Sequence, residues 1–406
     1  MRPSVPALVG LLALGLVGCR TRTLQPSPVP PVSLTLVAVG DILPHQDVQL
    51  AAAQDPGGFP ALWPDLIPVF QGADLAFGNM ESPIAPASGR PPVPFQFNAP
   101  GTLPAALRAS GFSVLSTANN HAFDQGGQGV RETLQRLSAE GLVAIGSGED
   151  RLRTELPRIL ERRGLRVAFL GFTDLFNEDL NREATHPWVR PLELAAAGQA
   201  VREARGQAEL VVISVHWGEE YQHLPSRRQR EAAYALVEAG ADVILGHHPH
   251  VLQPIEYLEA GGHKGLVAYS LGNFISNQDR MYRPDRDPVA EGDNRDGVAL
   301  RLRFERRGNP GAERLVLAEA TAEPLWTENN WGLPAARRVI RVVRVAAAEA
   351  QVRTDLEAMA APLAGPGSEA DEVLRRKLLS EKQEYLRTLA LRKRRIAEVV
   401  GEAFVR

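Results

Sequence analysis

Short apolar, β-branched runs alternate along this chain with stretches whose apolar residues recur every three or four positions, which predicts strands interleaved with helices. Residues 33–39 read as a first strand, 74–77 as a second and 113–118 as a third; 143–145, 167–172, 210–215, 242–245 and 266–271 follow. Helical spacing fits 61–70, 102–110 with Thr102 as its cap, 128–140 and 227–239. Residues 298–304 and 314–323 then alternate as a returning hairpin. From residue 333 the composition shifts to Ala, Arg, Glu and Leu, and 337–361 and 371–406 read as two long amphipathic helices split by a Pro/Gly-rich break at 362–367. The alternation argues for an α/β body over 33–325 with mainly parallel strands, followed by a C-terminal helical extension over 333–406.

Each of several strands ends in polar residues. The first stops at Gly40-Asp41, with His45 soon after, and the second at Gly78-Asn79-Met80-Glu81. The third ends in Asn119-Asn120-His121-Ala122-Phe123-Asp124, the 210–215 strand in His216-Trp217-Gly218-Glu219-Glu220, and the last in Gly272-Asn273. The apolar run at 243–245 ends in Gly246-His247-His248-Pro249-His250. Proline disfavours the helical region for the residue before it, so His248 is expected to be extended, which would turn His248 and His250 to the same side. Ligands of α/β sheets bind beyond the carboxyl ends of the strands, and six strands delivering polar groups to one rim predict a single site there. Residues 276–296 leave from the same rim as a charged, irregular loop, a candidate lid or simply a solvated surface. The basic run Arg392, Lys393, Arg394 and Arg395 reads as a solvated helix face.

With 406 residues, 44% hydrophobic and 23% charged at a net charge of −3, the chain has ample core and no nucleic-acid signature. Its only cysteine is Cys19, which follows Arg2, an apolar run and Leu16-Val17-Gly18. That arrangement predicts a secretory signal over 1–19, and Leu-Val-Gly-Cys looks like a bacterial lipobox that would acylate Cys19. The proline-rich 20–32 would then be a tether, placing an extracytoplasmic body on a membrane of the cell envelope, inner or outer, facing the periplasm or the surface. A mature chain without another thiol must bind metals through oxygen and imidazole, which suits Mn, Zn, Fe, Mg or Ca.

Six of the nine histidines lie in the strand-end segments. Carboxylates shared between cations, with imidazoles completing each shell, are how two-metal hydrolytic sites are built. Asp41, Glu81, Asn120, His216, His248 and His250 are therefore the candidate ligands for one or two divalent ions. His121, with Asp124 three residues on to orient its ring, is the candidate general acid or base. Asn79, His45, Glu220, His247 and Asn273 are candidates for touching substrate or supporting the ligands.

Taken together, these segments resemble the bacterial capsule synthesis protein CapA family, the poly-γ-glutamate synthesis (PgsA) proteins, over about residues 33–304. That family in turn looks like a branch of the calcineurin-like metallophosphoesterases, which implies an αββα sandwich of two sheets flanked by helices. The resemblance places Asp41 at the first metal motif, Asn79 and Glu81 at the second, Asn120 and His121 at the third, His216 at the fourth and His248 with His250 at the last. His45 stands four residues past Asp41 where phosphoesterases have Asp-x-His, Glu81 replaces the usual aspartate, and the acid expected beside His121 is displaced to Asp124. The implied function is synthesis or export of an anionic envelope polymer, beside membrane synthase or export subunits. Hydrolysis of phosphoesters or amide bonds in an anionic polymer or peptide, metal-assisted epimerisation of an amino acid, and a non-catalytic assembly role are the alternatives.

Overall fold

The first strand, β1 (Ser33–Ile42), has nine of its ten residues buried, as expected of a strand covered on both faces. In the computed structural model, which describes residues 32–308, 313–335, 338–360 and 369–405, β1 pairs in parallel with β2 (Leu75–Met80), and β3 (Val114–Ser116) and β4 (Val143–Ile145) continue that direction. The chain then builds a second sheet. After the short β5 (Ser147–Gly148) come β6 (Arg158–Arg162) and β7 (Leu165–Thr173), then β8 (Trp188–Val189), which pairs with β5. With β9 (Leu210–His216), β10 (Val243–His247), β11 (Ile255–Ala260) and β12 (His263–Ala268), the second sheet reads β11-β12-β10-β9-β7-β6. The chain finally returns to the first sheet through β13 (Asn273–Ile275), β14 (Asp296–Arg307), β15 (Arg314–Asn329) and β16 (Ile340–Arg344), giving β16-β15-β14-β1-β2-β3-β4 with β13 beside the end of β1.

Alternation along β1 shows how the layers form. Leu34, Leu36 and Ala38 share a buried cluster with Phe169, Val212 and Leu245 of the other sheet, whereas Val37 and Val39 pack with Trp63, Leu66 and Leu107 from the helical layer outside. On the far side, Ile213, Val215 and Ile244 meet Val201 of helix Leu194–Arg205 and Leu236 of helix Arg227–Glu238. The result is the αββα sandwich expected.

Several local expectations needed correction. The helical spacing at 61–70 resolves into two 3-10 turns, Phe59–Leu62 and Pro64–Leu66, and a single α-turn, Ile67–Gln71, because Pro64 and Pro68 remove backbone donors. Thr102 makes no side-chain cap hydrogen bond to helix Leu103–Ser110. The expected helix over 337–361 begins instead as strand β16, and only Val345–Ala360 is helical; Ile340, Val342 and Val343 are buried on pairing with β15, so sheet contacts override helical spacing. The C-terminal stretch thus starts inside the first sheet before forming the long helix Glu369–Val400. The basic run is a solvated face only in part, since Arg394 is exposed but Arg392 is fully buried. The signal sequence, Cys19, nearly all of the tether and the break at 362–367 lie outside the described residues.

Candidate metal centre

The strand register builds the site. In the first sheet Asp41 pairs across to Asn79 on one side and Asn273 on the other; in the second, His216 pairs with His247. The two sheets end at the same rim, so both sets of polar groups face one another across the sandwich. Two glycines let crossing segments approach. A Cβ on Gly40 would lie 1.9 Å from the Gly272 carbonyl oxygen, and one on Gly246 would lie 1.9 Å from that of Tyr269. The Asp41 N–H donates to Gly272 O at 3.0 Å, which ties β1 to the crossing chain at the candidate ligand itself.

Asp41 is the hub. Its Oδ1 accepts from Asn79 Nδ2 at 2.8 Å and lies 3.2 Å from His247 Nδ1. Its Oδ2 accepts from the His248 backbone N–H at 3.2 Å and lies 3.3 Å from His250 Nδ1. Glu81 Oε1 sits 3.4 Å from His216 Nε2 and 3.8 Å from His250 Nε2. His216 also contacts Asn120 Oδ1 through Nε2 at 2.9 Å. Three groups of acidic and imidazole side chains bring their ligand atoms within 4.8 Å of one another: Glu81, His216 and His248; Asp41, Glu81 and His250; and Glu220, His248 and His250. Glu220, expected only to support ligands or touch substrate, thus stands where it can itself be a ligand, at the exposed mouth.

His248 corrects its expectation. Its φ is +96° and that of His250 is +58°, so neither is extended; the rings come to a centroid distance of 5.9 Å through a sharp turn rather than by strand alternation. The hydrogen bond from the His248 N–H to buried Asp41 outweighs the local preference before proline. Tyr221, whose N–H donates to Pro249 O at 2.8 Å, has a φ of +64°. Non-glycine residues held at positive φ cost about 1–3 kcal/mol each and persist where surrounding structure over-determines them, most often at functional sites.

Electrostatics favour a cation. Burial pushes the Asp41 carboxyl up, but the imidazoles of His247 and His250 outweigh it and hold it well below the usual carboxylate range. Burial, then the Asp41 and Glu220 charges, push Glu81 well above that range. Burial and the neighbouring imidazoles push His216 well below its ordinary value and His248 down to about 4, so both rings are neutral and able to ligate. Among the described residues, both Glu81 oxygens, both His247 ring nitrogens and His248 Nδ1 are buried without a hydrogen-bond partner. Buried polar atoms are rarely left so, and two adjacent carboxylates with neutral imidazoles are a donor set that a divalent cation satisfies.

His121 stands beside this set. Its Nδ1 is 2.8 Å from Asp124 Oδ2, and its ring stacks on Phe97 at 4.2 Å. Asp124 Oδ2 also accepts from the Phe97 N–H at 2.6 Å. His45 joins no metal-holding group; its Nδ1 accepts from the Asn277 N–H at 3.2 Å, and burial with His250 and His121 nearby pushes it down to about 4. Asn273 Oδ1 meets His250 Nδ1 at 3.2 Å. Two residues of the site were not among the candidates, Asn119 at the end of the third strand and Asn177 beyond β7. Asn119 donates to Met80 O at 2.9 Å. Asn177 accepts through Oδ1 from Asn120 Nδ2 at 3.2 Å, and its Nδ2 lies 3.3 Å from His121 Nδ1. Asn177 follows β7, and carrying the strand-end rule to that strand would have found it.

A family model for the bacterial capsule synthesis protein PGA_cap matches residues 35–278, more than half of the chain. The chain belongs to the PGA_cap family. Within it, the chain is 34% identical over 244 residues to the PGA biosynthesis protein CapA of Bacillus subtilis, covering 59% of this chain and 62% of that protein. It is 33% identical over 253 residues to the capsule biosynthesis protein CapA of Bacillus anthracis, covering 60% of each. The match therefore spans less than two thirds of those relatives. Among solved structures, the 5'-nucleotidase precursor of Thermus thermophilus is similar at a TM-score of 0.43 and 16% identity, over 72% of this chain and 54% of that one. All the candidate ligands of the PGA_cap core, from Asp41 to His250, fall inside the matched residues.

Proposed function

We propose that this PGA_cap protein acts in the synthesis or export of an anionic cell-envelope polymer of the poly-γ-glutamate type, through a divalent cation held between the two sheet rims. The observation that carries this reading is the pair of buried carboxylates, Asp41 and Glu81, surrounded by His216, His248 and His250 with ligand atoms left unpartnered. The names of the two CapA relatives supply the polymer class. Asp41, Glu81, His216, His248 and His250 would hold the cation, with Asn120 and Glu220 beside them. When bound, such an ion polarises a carbonyl or phosphoryl oxygen and lowers the pKa of water.

The chain's own residues do the rest. Asp124 accepts from His121 Nδ1, which leaves Nε2 to take or give a proton, and Phe97 fixes the plane of the ring. Asn79 holds Asp41 on its pairing side, and Asn273 holds His250. This pairing of an oriented imidazole with a cation set favours a second reading, hydrolysis of phosphoester or amide bonds in the polymer.

The deciding experiment is elemental analysis and turnover of the purified protein with Mn, Zn or Ca. His216→Ala is expected to lose both bound metal and turnover of a generic phosphodiester or a γ-glutamyl amide. His121→Ala is expected to keep the metal and lose turnover by about 10²–10⁴-fold, the usual worth of general acid–base catalysis. Metal without turnover directs the reading to an assembly subunit. No metal under any supplementation, or unchanged cell-associated polymer in cells carrying Asp41→Asn, overturns the proposal.

The proposal also includes an anchor: acylation of Cys19 would hold the body outside the cytoplasm, next to membrane synthase or export subunits. Among the described residues no helix is long and apolar enough to cross a membrane. Cys19→Ala is expected to shift the protein from the membrane fraction to the soluble one; an unchanged fraction refutes the anchor.

A further inference from the structure

The buried charge in this molecule outside the metal centre is concentrated where the C-terminal helix meets residues 276–296. Arg392, fully buried, donates through Nη1 to Asp293 Oδ1 at 3.0 Å and to Asp296 Oδ2 at 3.1 Å, and through Nη2 to Tyr282 Oη at 3.3 Å and to Val289 O. Its guanidinium lies 5.0 Å from the Trp326 ring centroid and 5.4 Å from that of Tyr282, a position suited to a planar, weakly hydrated cation and not to an ammonium. Asp293 is the meeting point: its Oδ2 also accepts from Arg395 Nη2 at 2.8 Å and lies 2.8 Å from His223 Nε2. The segment read from sequence as either a lid or a solvated surface loop is thus pinned by the helix.

The next residue leads to the metal centre. Asn273 Nδ2 donates to Asn294 O at 2.9 Å and to Gln278 Oε1 at 2.7 Å, and Asn294 Nδ2 donates to the same Gln278 oxygen at 3.1 Å. With its amide nitrogen committed to those acceptors, Asn273 must turn Oδ1 toward His250 Nδ1, 3.2 Å away. With Asp41 Oδ2 on the same nitrogen at 3.3 Å, this second acceptor helps keep the proton on Nδ1 and fixes the ring plane, leaving the Nε2 lone pair facing Glu81, which is the tautomer a cation needs.

We propose that Arg392, acting through Asp293, is a positioning residue for the cation site: the C-terminal helix holds residues 276–296 in the one arrangement that sets the ring of His250. The inference rests on the cation reading of the metal centre. It assigns a role in that site to a helix lying wholly outside residues 35–278, where the family match falls. Without the guanidinium, Asp293 and Asp296 would be two buried carboxylates with their main cationic partner gone, and the segment carrying Asn294 would move to reach water.

The test is titration of the full-length, cation-free protein with Co²⁺, read by its visible absorption band and dissociation constant. Arg392→Met and Asp293→Asn are expected to change the band and weaken Co²⁺ binding about three- to tenfold, below the 10–100-fold typical of a group that touches the ligand directly. Leu236→Ala, a buried change in the outer layer of the second sheet, serves as a control that lowers stability without lying on this path; band and affinity should stay as in the parent. Should Arg392→Met fail to fold, Asp293→Asn and Arg395→Gln probe the same link. A folded variant with the parent's band and affinity overturns the inference, as does Leu236→Ala altering them equally. Parent protein that takes up no Co²⁺ overturns the cation site itself, and this role with it.

Discussion

Glu81→Gln is expected to move stability in opposite directions in the presence and absence of a divalent cation. Without a cation, both Glu81 oxygens are buried and unpartnered, next to the hub carboxylate of Asp41. Burial and the Asp41 charge both disfavour a charge at Glu81, and an amide of the same shape never carries one, so the substitution should raise the melting temperature of the cation-free protein. With a cation the order reverses. A ligand present at 100 times its dissociation constant stabilises the folded state by about 2.7 kcal/mol, and the variant forfeits most of that because Glu81 belongs to two of the three candidate metal-holding groups. Melting curves of both proteins with a chelator and with saturating Mn²⁺ or Zn²⁺ should therefore cross. A variant less stable than its parent under both conditions would show that Glu81 is a satisfied structural carboxylate and no ligand.

The second large effect concerns the backbone beneath Asp41. Gly40→Ala would place a methyl group 1.9 Å from Gly272 O and 2.8 Å from Gly272 C. Both are main-chain atoms that cannot rotate away, and Gly272 O already accepts the Asp41 N–H. The strand or the crossing chain must shift, with an expected cost above about 4 kcal/mol, in the range reserved for severe core disruption. Gly198→Ala is the contrasting case. Gly198 lies inside helix Leu194–Arg205, and its added methyl would meet only Arg202 Nη1 at 3.5 Å and Ala239 Cβ at 3.8 Å. There the usual helical advantage of alanine, roughly 0.5–1 kcal/mol, should appear as a gain. Urea unfolding of the two variants beside the parent measures both; a Gly40→Ala protein as stable as the parent would mean that Gly272, at the entry to β13, does not lie against β1 as described.

These two positions also show how legibility varied along the chain. Gly40-Asp41 announced itself, because an apolar run ending in a glycine and a carboxylate is visible without any knowledge of what lies across from it. Asn79, Asn120, His216 and His250 were legible for the same reason. His248 was not: its local preference before Pro249 pointed to an extended residue, and a hydrogen bond to Asp41, 207 residues earlier in the chain, decided otherwise. Ile340 to Arg344 carried a helical pattern yet became a strand, since the exposed edge of β15 offered it partners. Arg392 looked like one charge in a solvated run, and nothing near it in sequence marks the acids that bury it.

By itself, then, the sequence determined the α/β alternation and the polar groups at the strand ends, because strand periodicity and turn chemistry are local properties carried by neighbouring residues. Only the tertiary structure decided that two separate rims face each other, that Glu220 stands where it can itself be a ligand, that Asn177 reaches the same site, and that the C-terminal helix packs against the segment leading to it. Those outcomes depend on contacts between residues far apart along the chain, and the energy of a contact belongs to both partners at once, so neither segment alone encodes it.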